Sequence, residues 1–159
     1  MEAGRRMRSE MGQQGSIRVI GYLGRALSYE LSAVQQYMSH AAMCDTWELG
    51  EASQRWRQEA AEELAHAERI VQRMLALGVA PNASQLRPVR VGGNLAELIA
   101  CNIHMEGDIV RLYSDAVVTC LRSGDQQNGD FFRQFLDEER QHAQELKHWY
   151  ESLTDWSGA

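Results

Sequence analysis

Apolar residues recur at steps of three and four over four long stretches of the chain, the spacing of helices that face a shared core. The pattern predicts four helices, α1 over 17–44, α2 over 47–77, α3 over 94–123 and α4 over 127–154. Between α2 and α3, residues 79–93 hold both prolines of the chain and two adjacent glycines, which predicts a long connection. We therefore predict an all-α four-helix bundle with a long crossover between its second and third helices.

The two ends of the chain carry separate predictions. Residues 1–16 are polar and lack apolar periodicity, so we predict a flexible N-terminal tail before a single helical domain, 17–159. Ser16 is the predicted N-cap of α1. The chain ends at Ala159, so soon after α4 that we expect no substantial fifth helix.

Each helix has a core-facing stripe in which a few ionisable residues interrupt the apolar ones. The stripe residues are Ile20, Leu23, Leu27, Glu30, Val34, Tyr37 and Ala41 in α1; Leu49, Ala52, Trp56, Glu63, His66, Ile70 and Leu77 in α2; Leu95, Ile99, Asn102, Glu106, Ile109, Tyr113, Ala116 and Cys120 in α3; and Phe132, Phe135, Glu139, His142, Leu146, Trp149 and Leu153 in α4. A charged side chain at such a position is costly unless it is paired or bound to a metal ion. The ionisable stripe residues are therefore the candidate functional residues.

Two Glu-x-x-His motifs lie on these stripes. Residues three apart share a helix face, so Glu63 and His66 can offer ligand atoms to one ion. Glu139 and His142 repeat the motif in the second half of the chain, and a further glutamate stands at an identical distance before each motif. Two such matched sets are typical of a carboxylate-bridged di-metal site in a four-helix bundle. The predicted metal ligands are Glu30, Glu63, His66, Glu106, Glu139 and His142.

The ligand chemistry indicates which metals this site would hold. Four glutamates in an apolar core would take up protons or unfold the bundle unless cations offset their charge. Oxygen-rich ligation with one imidazole per metal suits iron or manganese. Glu63 and Glu139 are the predicted bridging ligands, and Glu30 and Glu106 the terminal carboxylates. Open coordination positions would let dioxygen or peroxide take one electron from each metal, which predicts oxidation of Fe(II) to Fe(III).

Other histidines are assigned ordinary roles. Glu145 and His148 form a third Glu-x-x-His, but the inward positions of α4 there are Leu146 and Trp149, so we expect this pair to face solvent. His40 and the equally unmatched His104 have no partner in phase and are interpreted as ordinary polar or interface residues.

The two halves of the bundle also match beyond the ligands. Tyr37 and Tyr113 are separated by the same interval as the two motifs, and so are Glu62 and Glu138, which predicts a pseudo-twofold bundle. Each tyrosine lies two helical turns beyond a ligand glutamate, and both core packing and a redox or hydrogen-bonding role are consistent with that place. Glu59 and Glu62 lie close to the α2 ligands, where they either help pass iron onward or form part of a solvated surface.

Composition narrows the choice of partners and location. The chain has a net charge of −6, and no broad basic face favours nucleic acid or an anionic membrane surface. No apolar run is long enough to span a membrane, and the N-terminus lacks the apolar segment of a signal peptide. The three cysteines have no metal-ligand spacing and are predicted to be reduced core thiols, which favours a cytoplasmic protein.

The sequence resembles the bacterioferritins over roughly residues 18–154. The resemblance rests on VIGYLGRALSYELSAVQQY around Glu30, EELAHAERI around Glu63, LGVAPN after α2, HMEGDIVRLY around Glu106 and DEERQH around Glu139. All six positions that match the family's ferroxidase ligands are present, as is the matching tyrosine, Tyr37. The resemblance implies the ferritin-like fold, a di-iron ferroxidase site with two iron ions per subunit, and storage of ferric mineral in a cage of 24 subunits.

Two departures from the family pattern change what is expected. Bacterioferritin haem is held by a methionine from each of two subunits, directly after the first motif's glutamate; that position is Leu64 here, and leucine cannot ligate iron. We therefore expect no haem, with a haem-less paralogue or a mixed assembly left open. The family's short fifth helix, which lines the fourfold channels, is expected to be absent, so a closed cage and a dimer both remain open.

Three functions are consistent with these observations. The first is a ferroxidase that takes Fe(II) and dioxygen or peroxide and stores iron in a homo-oligomeric cage. The second is a small, non-storage di-metal oxidase or peroxidase, which the missing fifth helix favours. The third is a four-helix interaction protein with relict ligands, which the intact set of six ligands disfavours.

Overall fold

A computed structural model describes the backbone of residues 2–83 and 85–155, and the side chains of residues 17–83 and 85–153. The described residues form helices and connections, without strands. α1 packs against α2 and α3, and α3 packs against α4. The observed helices are α1 Glu2–Thr46, α2 Gly50–Ala76, α3 Leu95–Ser123 and α4 Gln126–Asp155. The predicted all-α bundle with a long second connection is confirmed.

The first helix begins well before the predicted residue 17, at Glu2. Ser16 lies inside α1, so its assignment as an N-cap is wrong. The segment before it contains no proline and is rich in Arg, Met, Glu and Gln, all good helix formers, which together outweigh its three glycines. The flexibility of residues 1–16 remains a prediction, and their side chains lie outside the described part.

The stripe predictions fail at both ends of α2. Leu49 and Leu77 were expected in the core but are 38% and 36% exposed. They are the N-cap and C-cap residues of the helix, beyond the turns that pack on α1.

Helix α3 is capped at both ends: the Asn94 side chain accepts a hydrogen bond from the Glu97 N–H, and Gly124 supplies the left-handed turn with φ 71°.

The core consists of two aromatic clusters that flank a central belt of polar residues. On one side Tyr37 packs on Trp56, and on the other Tyr113 packs on Phe135. Cys44 and Cys120 are buried in this core as predicted, whereas Cys101 is only partly buried; all three are free thiols. The polar belt between the clusters holds the candidate site.

A closed ring of hydrogen bonds fastens the crossover to α1 and α3. The Arg90 N–H donates to Gln36 Oε1 (3.1 Å), and Gln36 Nε2 donates to Asn102 Oδ1 (2.8 Å). Asn102 Nδ2 then donates to His40 Nδ1 (2.8 Å), and His40 Nε2 donates to the Arg90 carbonyl (2.7 Å). The ring explains how three fully or nearly fully buried polar side chains are satisfied.

The directions of these hydrogen bonds determine the protonation state of His40. The sequence pattern predicts only an ordinary polar or interface histidine at this position. A backbone N–H can only donate and a carbonyl can only accept, so the direction of every bond follows from Arg90. His40 is therefore neutral, with its proton on Nε2. Burial lowers the pKa of His40, while its bond to the Arg90 carbonyl acts in the opposite direction. The residue lies in the core and serves the fold.

Within the part of the chain that the structure describes, none of the helices combines the length and the apolar character that a membrane-spanning segment needs.

Replacing Gln36 with leucine should lower the free energy of unfolding by about 1–3 kcal/mol, because Asn102 Oδ1 and the Arg90 N–H then lose their partners inside the protein. Gln35→Leu is the matched control, since Gln35 is exposed on the same helix. Urea unfolding of both variants measures the difference. Equal stability of the two variants would mean that the ring contributes nothing.

Candidate metal centre

The structure brings all six predicted ligands into two adjoining clusters. One cluster contains Glu30, Glu63, His66 and Glu139, and the other contains Glu63, Glu106, Glu139 and His142. Within each cluster, one potential ligand atom from every residue lies within 4.8 Å of the others. All four glutamates have no exposed surface, and each of the four helices contributes one of them.

Glu63 and Glu139 belong to both clusters, the positions predicted for bridging ligands. Each histidine contacts the shared glutamate of the other motif rather than its own most closely. His66 Nδ1 lies 2.9 Å from Glu139 Oε1, and His142 Nδ1 lies 3.0 Å from Glu63 Oε1. The two imidazoles are nearly parallel, with their centroids 6.0 Å apart. The arrangement places one imidazole in each cluster with Nδ1 facing the centre.

The hydrogen-bond partners of four carboxylate oxygens indicate whether the residues of the centre fit metal ions. One oxygen of each central glutamate is buried and has no hydrogen-bond partner among the described residues: Glu30 Oε2, Glu63 Oε2, Glu106 Oε2 and Glu139 Oε2. Buried polar atoms without partners are rare and costly, because water has been removed and nothing replaces it. Divalent cations would satisfy all four at once, so the donor set fits a pair of hard cations.

Electrostatics of the metal-free centre show how strongly the carboxylates oppose one another. Burial raises the pKa of Glu63 and Glu106 well above the usual range, and neighbouring carboxylates raise it further. For the same reasons the pKa of Glu139 rises to about 7. Glu30 is the exception: burial raises its pKa, but its interactions with the adjacent Glu63 and His66 outweigh burial and lower it. Without cations, the centre therefore holds protons at neutral pH.

The histidines respond in the opposite sense to their surroundings. Burial alone lowers the pKa of His142, but its interactions with the carboxylates of Glu139 and Glu63 outweigh burial and raise the pKa to about 12. The pKa of His66 is raised in the same way, chiefly by Glu139. Both imidazoles are positively charged in the metal-free protein. Cations that bind here would displace these protons, because a metal-bound nitrogen must be unprotonated.

A tyrosine from each half holds the terminal glutamate of the other half. The Tyr37 hydroxyl donates to Glu106 Oε1 at 2.5 Å, and the Tyr113 hydroxyl donates to Glu30 Oε1 at 2.6 Å. Burial and the nearby carboxylates raise the pKa of both phenols well above the usual value, so each keeps its proton and acts as donor. Each bond occupies one carboxylate oxygen and leaves the other facing the centre.

Sequence reasoning missed the part that Glu62 and Glu138 take in orienting the histidines. His142 Nε2 lies 2.8 Å from Glu62, and His66 Nε2 lies 2.9 Å from Glu138. These partners fix the outer nitrogen of each ring and turn Nδ1 toward the centre, the usual carboxylate–histidine arrangement beside a metal. The signal was present, since the two glutamates are separated by the same interval as the ligands of the two halves.

The two ends of the centre differ. Beside His66 lies Phe135, and Arg69 covers that ring at 4.1 Å while pairing with Glu138 at 2.9 Å. The corresponding neighbour of His142 is Glu59, whose Oε2 is buried, lies 3.8 Å from His142 Nδ1, and has no hydrogen-bond partner among the described residues. Glu59, Glu62 and His142 form a third group of closely spaced ligand atoms. The end of the centre near His142 is therefore acidic, whereas Phe135 and Arg69 cover the end near His66.

Four residues singled out in the sequence lie away from the centre. His148 has a side chain that is 83% exposed and contacts Glu151, and Glu145 is also exposed, so this third motif faces solvent as predicted. His104 is exposed beside Asp108. Leu64 lies on the outer face of α2 and is 45% exposed.

The metal-free protein should lose stability as the pH rises from about 5 to 8. The folded pKa of Glu139 is about 7, so the folded state holds a proton that the unfolded chain, with a carboxyl pKa of 4.5, has already released. Such a group contributes stability below the unfolded pKa that is lost as the pH rises through the folded pKa, on the order of a few kcal/mol. Urea unfolding with a chelator present, at pH 5, 6, 7 and 8, measures the decline.

The Glu139→Gln variant is the control for this pH dependence, because an amide has no proton to release. Its stability should fall less steeply with pH than that of the native protein. Saturating Mn(II) should remove the decline from the native protein only, since cations replace the protons. Identical pH profiles for the native protein and the variant would contradict the assignment.

Comparisons with known proteins agree with this architecture. The family model described as the ferritin-like domain matches residues 20–155. The bacterioferritin of Rhodobacter capsulatus is 33% identical over 134 residues, which cover 84% of this chain and 83% of that protein. The bacterioferritin of Mycolicibacterium paratuberculosis is 31% identical over 134 residues, covering 84% of each chain.

A solved structure extends the comparison from sequence to fold. A Rhodobacter capsulatus bacterioferritin, described as having a metal-free dinuclear site and haem iron, superposes with a TM-score of 0.83 at 33% identity. The match covers 87% of this chain and 86% of that one. The chain therefore belongs to the ferritin-like domain family and, within it, to the bacterioferritins.

Proposed function

We propose that this protein is a ferroxidase that oxidises Fe(II) to Fe(III) at a di-iron centre within each subunit. The observation that carries the proposal is the pair of clusters that share Glu63 and Glu139, with an unsatisfied carboxylate oxygen from all four central glutamates. When bound, two Fe(II) ions each supply one electron to dioxygen or peroxide. Iron is the substrate, and manganese is the other cation that this donor set suits.

Each ligand has a distinct part in this proposal. Glu63 and Glu139 belong to both clusters and would bridge the two ions. His66 and His142 are terminal nitrogen ligands, and Glu30 is the terminal carboxylate beside His66. Glu106 is the corresponding terminal ligand in the other cluster. Since all four carboxylates are anionic when ions are bound, they offset the charge of two divalent cations.

The surrounding residues position the ligands. Tyr37 donates its hydroxyl proton to Glu106 and so keeps one carboxylate oxygen directed inward. This bond also makes Tyr37 the tyrosine placed to take part in electron or proton transfer beside the metals. Glu62 and Glu138 hold the outer nitrogens of the histidines. The acidic end near Glu59 is the proposed path by which iron leaves or enters the centre.

The biological purpose proposed is iron storage and detoxification. Kinship with the bacterioferritins supports a homo-oligomeric cage, of 24 subunits by resemblance, in the cytoplasm. Haem is not part of the proposal. Although a related bacterioferritin is described with haem iron, the position matched to the haem-ligand methionine is Leu64, whose side chain has no lone pair to offer iron.

A second candidate is a small di-metal oxidase or peroxidase that stores nothing. The observation that favours it is that all six proposed ligands come from one chain, so the centre is complete without a cage. Oxidation of Fe(II) would proceed at the same residues in both cases. The two candidates differ only in what happens to the ferric product.

Removing a ligand should abolish Fe(II) oxidation and leave the helices intact. Glu63→Ala and His142→Ala are each expected to reduce the initial rate by more than about 100-fold, beyond the roughly 10- to 100-fold effect of losing an outer partner. Stopped-flow absorbance at the ferric band measures the rate, and circular dichroism measures helicity. Glu68→Ala and His148→Ala are matched controls on exposed positions of the same helices. Native rates in both ligand variants would eliminate this centre.

The assembly state separates storage from the small oxidase. Light scattering gives the mass of the purified protein, and iron is counted before and after aerobic Fe(II) loading. A cage that retains far more iron than its two clusters per chain can hold is the outcome expected for storage. A dimer that saturates at two ions per chain would overturn the storage proposal and support the small oxidase.

A further inference from the structure

A cavity of about 370 Å³ is lined by residues of α1, the crossover and α3, and the proposed ferroxidase reaction does not use it. Its volume is in the range of sites that hold small organic molecules. Tyr29 of α1 and Met105 of α3 both line it, and they directly precede Glu30 and Glu106 in the sequence. The cavity therefore lies against the segments of α1 and α3 that carry the two proposed terminal carboxylates.

Backbone hydrogen bonds hold the crossover in place along this cavity. The Arg90 N–H donates to Gln36 Oε1 at 3.1 Å, as part of the ring described above. A second attachment joins the Arg87 N–H to Ser32 Oγ at 2.9 Å. Both attachments use the backbone of the crossover and leave the two guanidinium groups for other contacts. The cavity is thus formed before any ligand arrives, which reduces the cost of binding.

Positive charge is concentrated at this cavity, although the chain as a whole carries a net charge of −6. The Arg87 guanidinium lies over the Tyr29 ring at 3.9 Å and 3.3 Å from Asp108. Asp108 also pairs with Arg111, and it lies 3.8 Å from His104. Asp108 is thus already shared between two arginines, so the local charge is positive and favours an anion.

Arg90 is the cavity arginine whose charge no described residue offsets. Its guanidinium makes no hydrogen bond, ion pair or ring contact within the described part of the chain. A guanidinium presents two parallel N–H groups that match the two oxygens of a carboxylate. One uncompensated cation suits a ligand with a single negative charge.

The remaining lining favours a flat, apolar body on that ligand. Tyr29, Pro88 and Met105 contribute carbon surface to the cavity. Guanidinium groups such as that of Arg87 stack on aromatic faces, and methionine sulfur makes favourable contacts with aromatic rings. An anion without a ring, such as inorganic phosphate, would leave this apolar surface uncovered.

We propose that this cavity binds a small planar aromatic carboxylate. The carboxylate pairs with Arg90, and the aromatic ring contacts Tyr29, Pro88 and Met105. The site is distinct from the six proposed metal ligands, and neither its ligand nor its contacts depend on the proposed ferroxidase function.

The probe for this site is 2-naphthoate, a planar monocarboxylate, titrated into the metal-free protein by isothermal titration calorimetry. We expect saturable binding of one molecule per chain. The uncharged 2-naphthamide should bind about tenfold more weakly or worse, because it lacks the charge that strengthens hydrogen bonds with a guanidinium. Equimolar inorganic phosphate should not displace the naphthoate. Absence of saturable binding, equal affinity for the amide, or displacement by phosphate would each overturn the proposal.

Arg90→Gln tests the anchoring charge. The Kd for 2-naphthoate should rise about tenfold or more, while the fold is kept because the ring uses only the backbone of Arg90. Arg122→Gln is the matched control at an exposed position of α3 and should bind as the native protein does. Urea unfolding verifies that both variants are folded. A native Kd in Arg90→Gln would overturn the proposal.

A second pair of variants locates the bound probe. His104→Glu adds a negative charge to the cavity lining and should raise the Kd for 2-naphthoate. His148→Glu adds the same charge on α4, where the side chain is 83% exposed, and should leave the Kd unchanged. Equal affinity in the two variants would place the probe elsewhere and overturn the proposal.

Fe(II) oxidation, measured separately, distinguishes this site from the metal centre. Normal oxidation without naphthoate binding would refute the site and retain the ferroxidase. Naphthoate binding that depends on Arg90 and His104, in a protein that does not oxidise Fe(II), would support the site and refute the ferroxidase alone.

Discussion

The structure depends on one electrostatic constraint, the burial of four glutamate side chains at the centre of an apolar bundle. A carboxylate removed from water is unstable unless protons, cations or hydrogen bonds compensate for its charge. In the metal-free protein two charged imidazoles and the protons retained by Glu63, Glu106 and Glu139 provide that compensation. The same groups leave four inward oxygens without partners among the described residues, so the metal-free state is a poor substitute for a pair of divalent cations.

The pseudo-twofold relation explains how the constraint is met with few residues. Neither half completes a cluster by itself. The histidine and the tyrosine of one half contact glutamates of the other half. The halves therefore stabilise each other only when the bundle is assembled. The two halves differ at two matched positions. Glu59 in the first half corresponds to Phe135 in the second, and Trp56 corresponds to Phe132. These two replacements give one half an acidic end and a tryptophan that stacks on Tyr37.

Much of this arrangement could be predicted from the sequence, because a glutamate in phase with an apolar stripe has few explanations. The helical phase of the apolar stripes predicted that the six proposed ligands lie together and excluded the motif at Glu145. The roles of the six residues as ligands remain proposals. The phase failed at Leu49 and Leu77, since periodicity does not show where packing ends along a helix. Glu62 and Glu138 were not assigned to the histidines because partly exposed glutamates are common on helices. The bonds of His40 depend on the backbone of a crossover residue, Arg90, whose position no local pattern specifies.

The hydrogen-bond ring on the crossover fixes the axial register of α1 relative to α3. Gln36 lies beyond Glu30 on α1 and Asn102 lies before Glu106 on α3, at about 9 Å and about 6 Å along their helices. A slip of one turn, about 5.4 Å, between α1 and α3 would break the two bonds that join Gln36 and His40 of α1 to Asn102 of α3. Because the backbone of Arg90 fixes the direction of the ring, no flipped arrangement of the amides can substitute for the correct one. The register of two proposed metal ligands is thus set by residues that bind no metal, and an insertion in the crossover would reach the centre through that register.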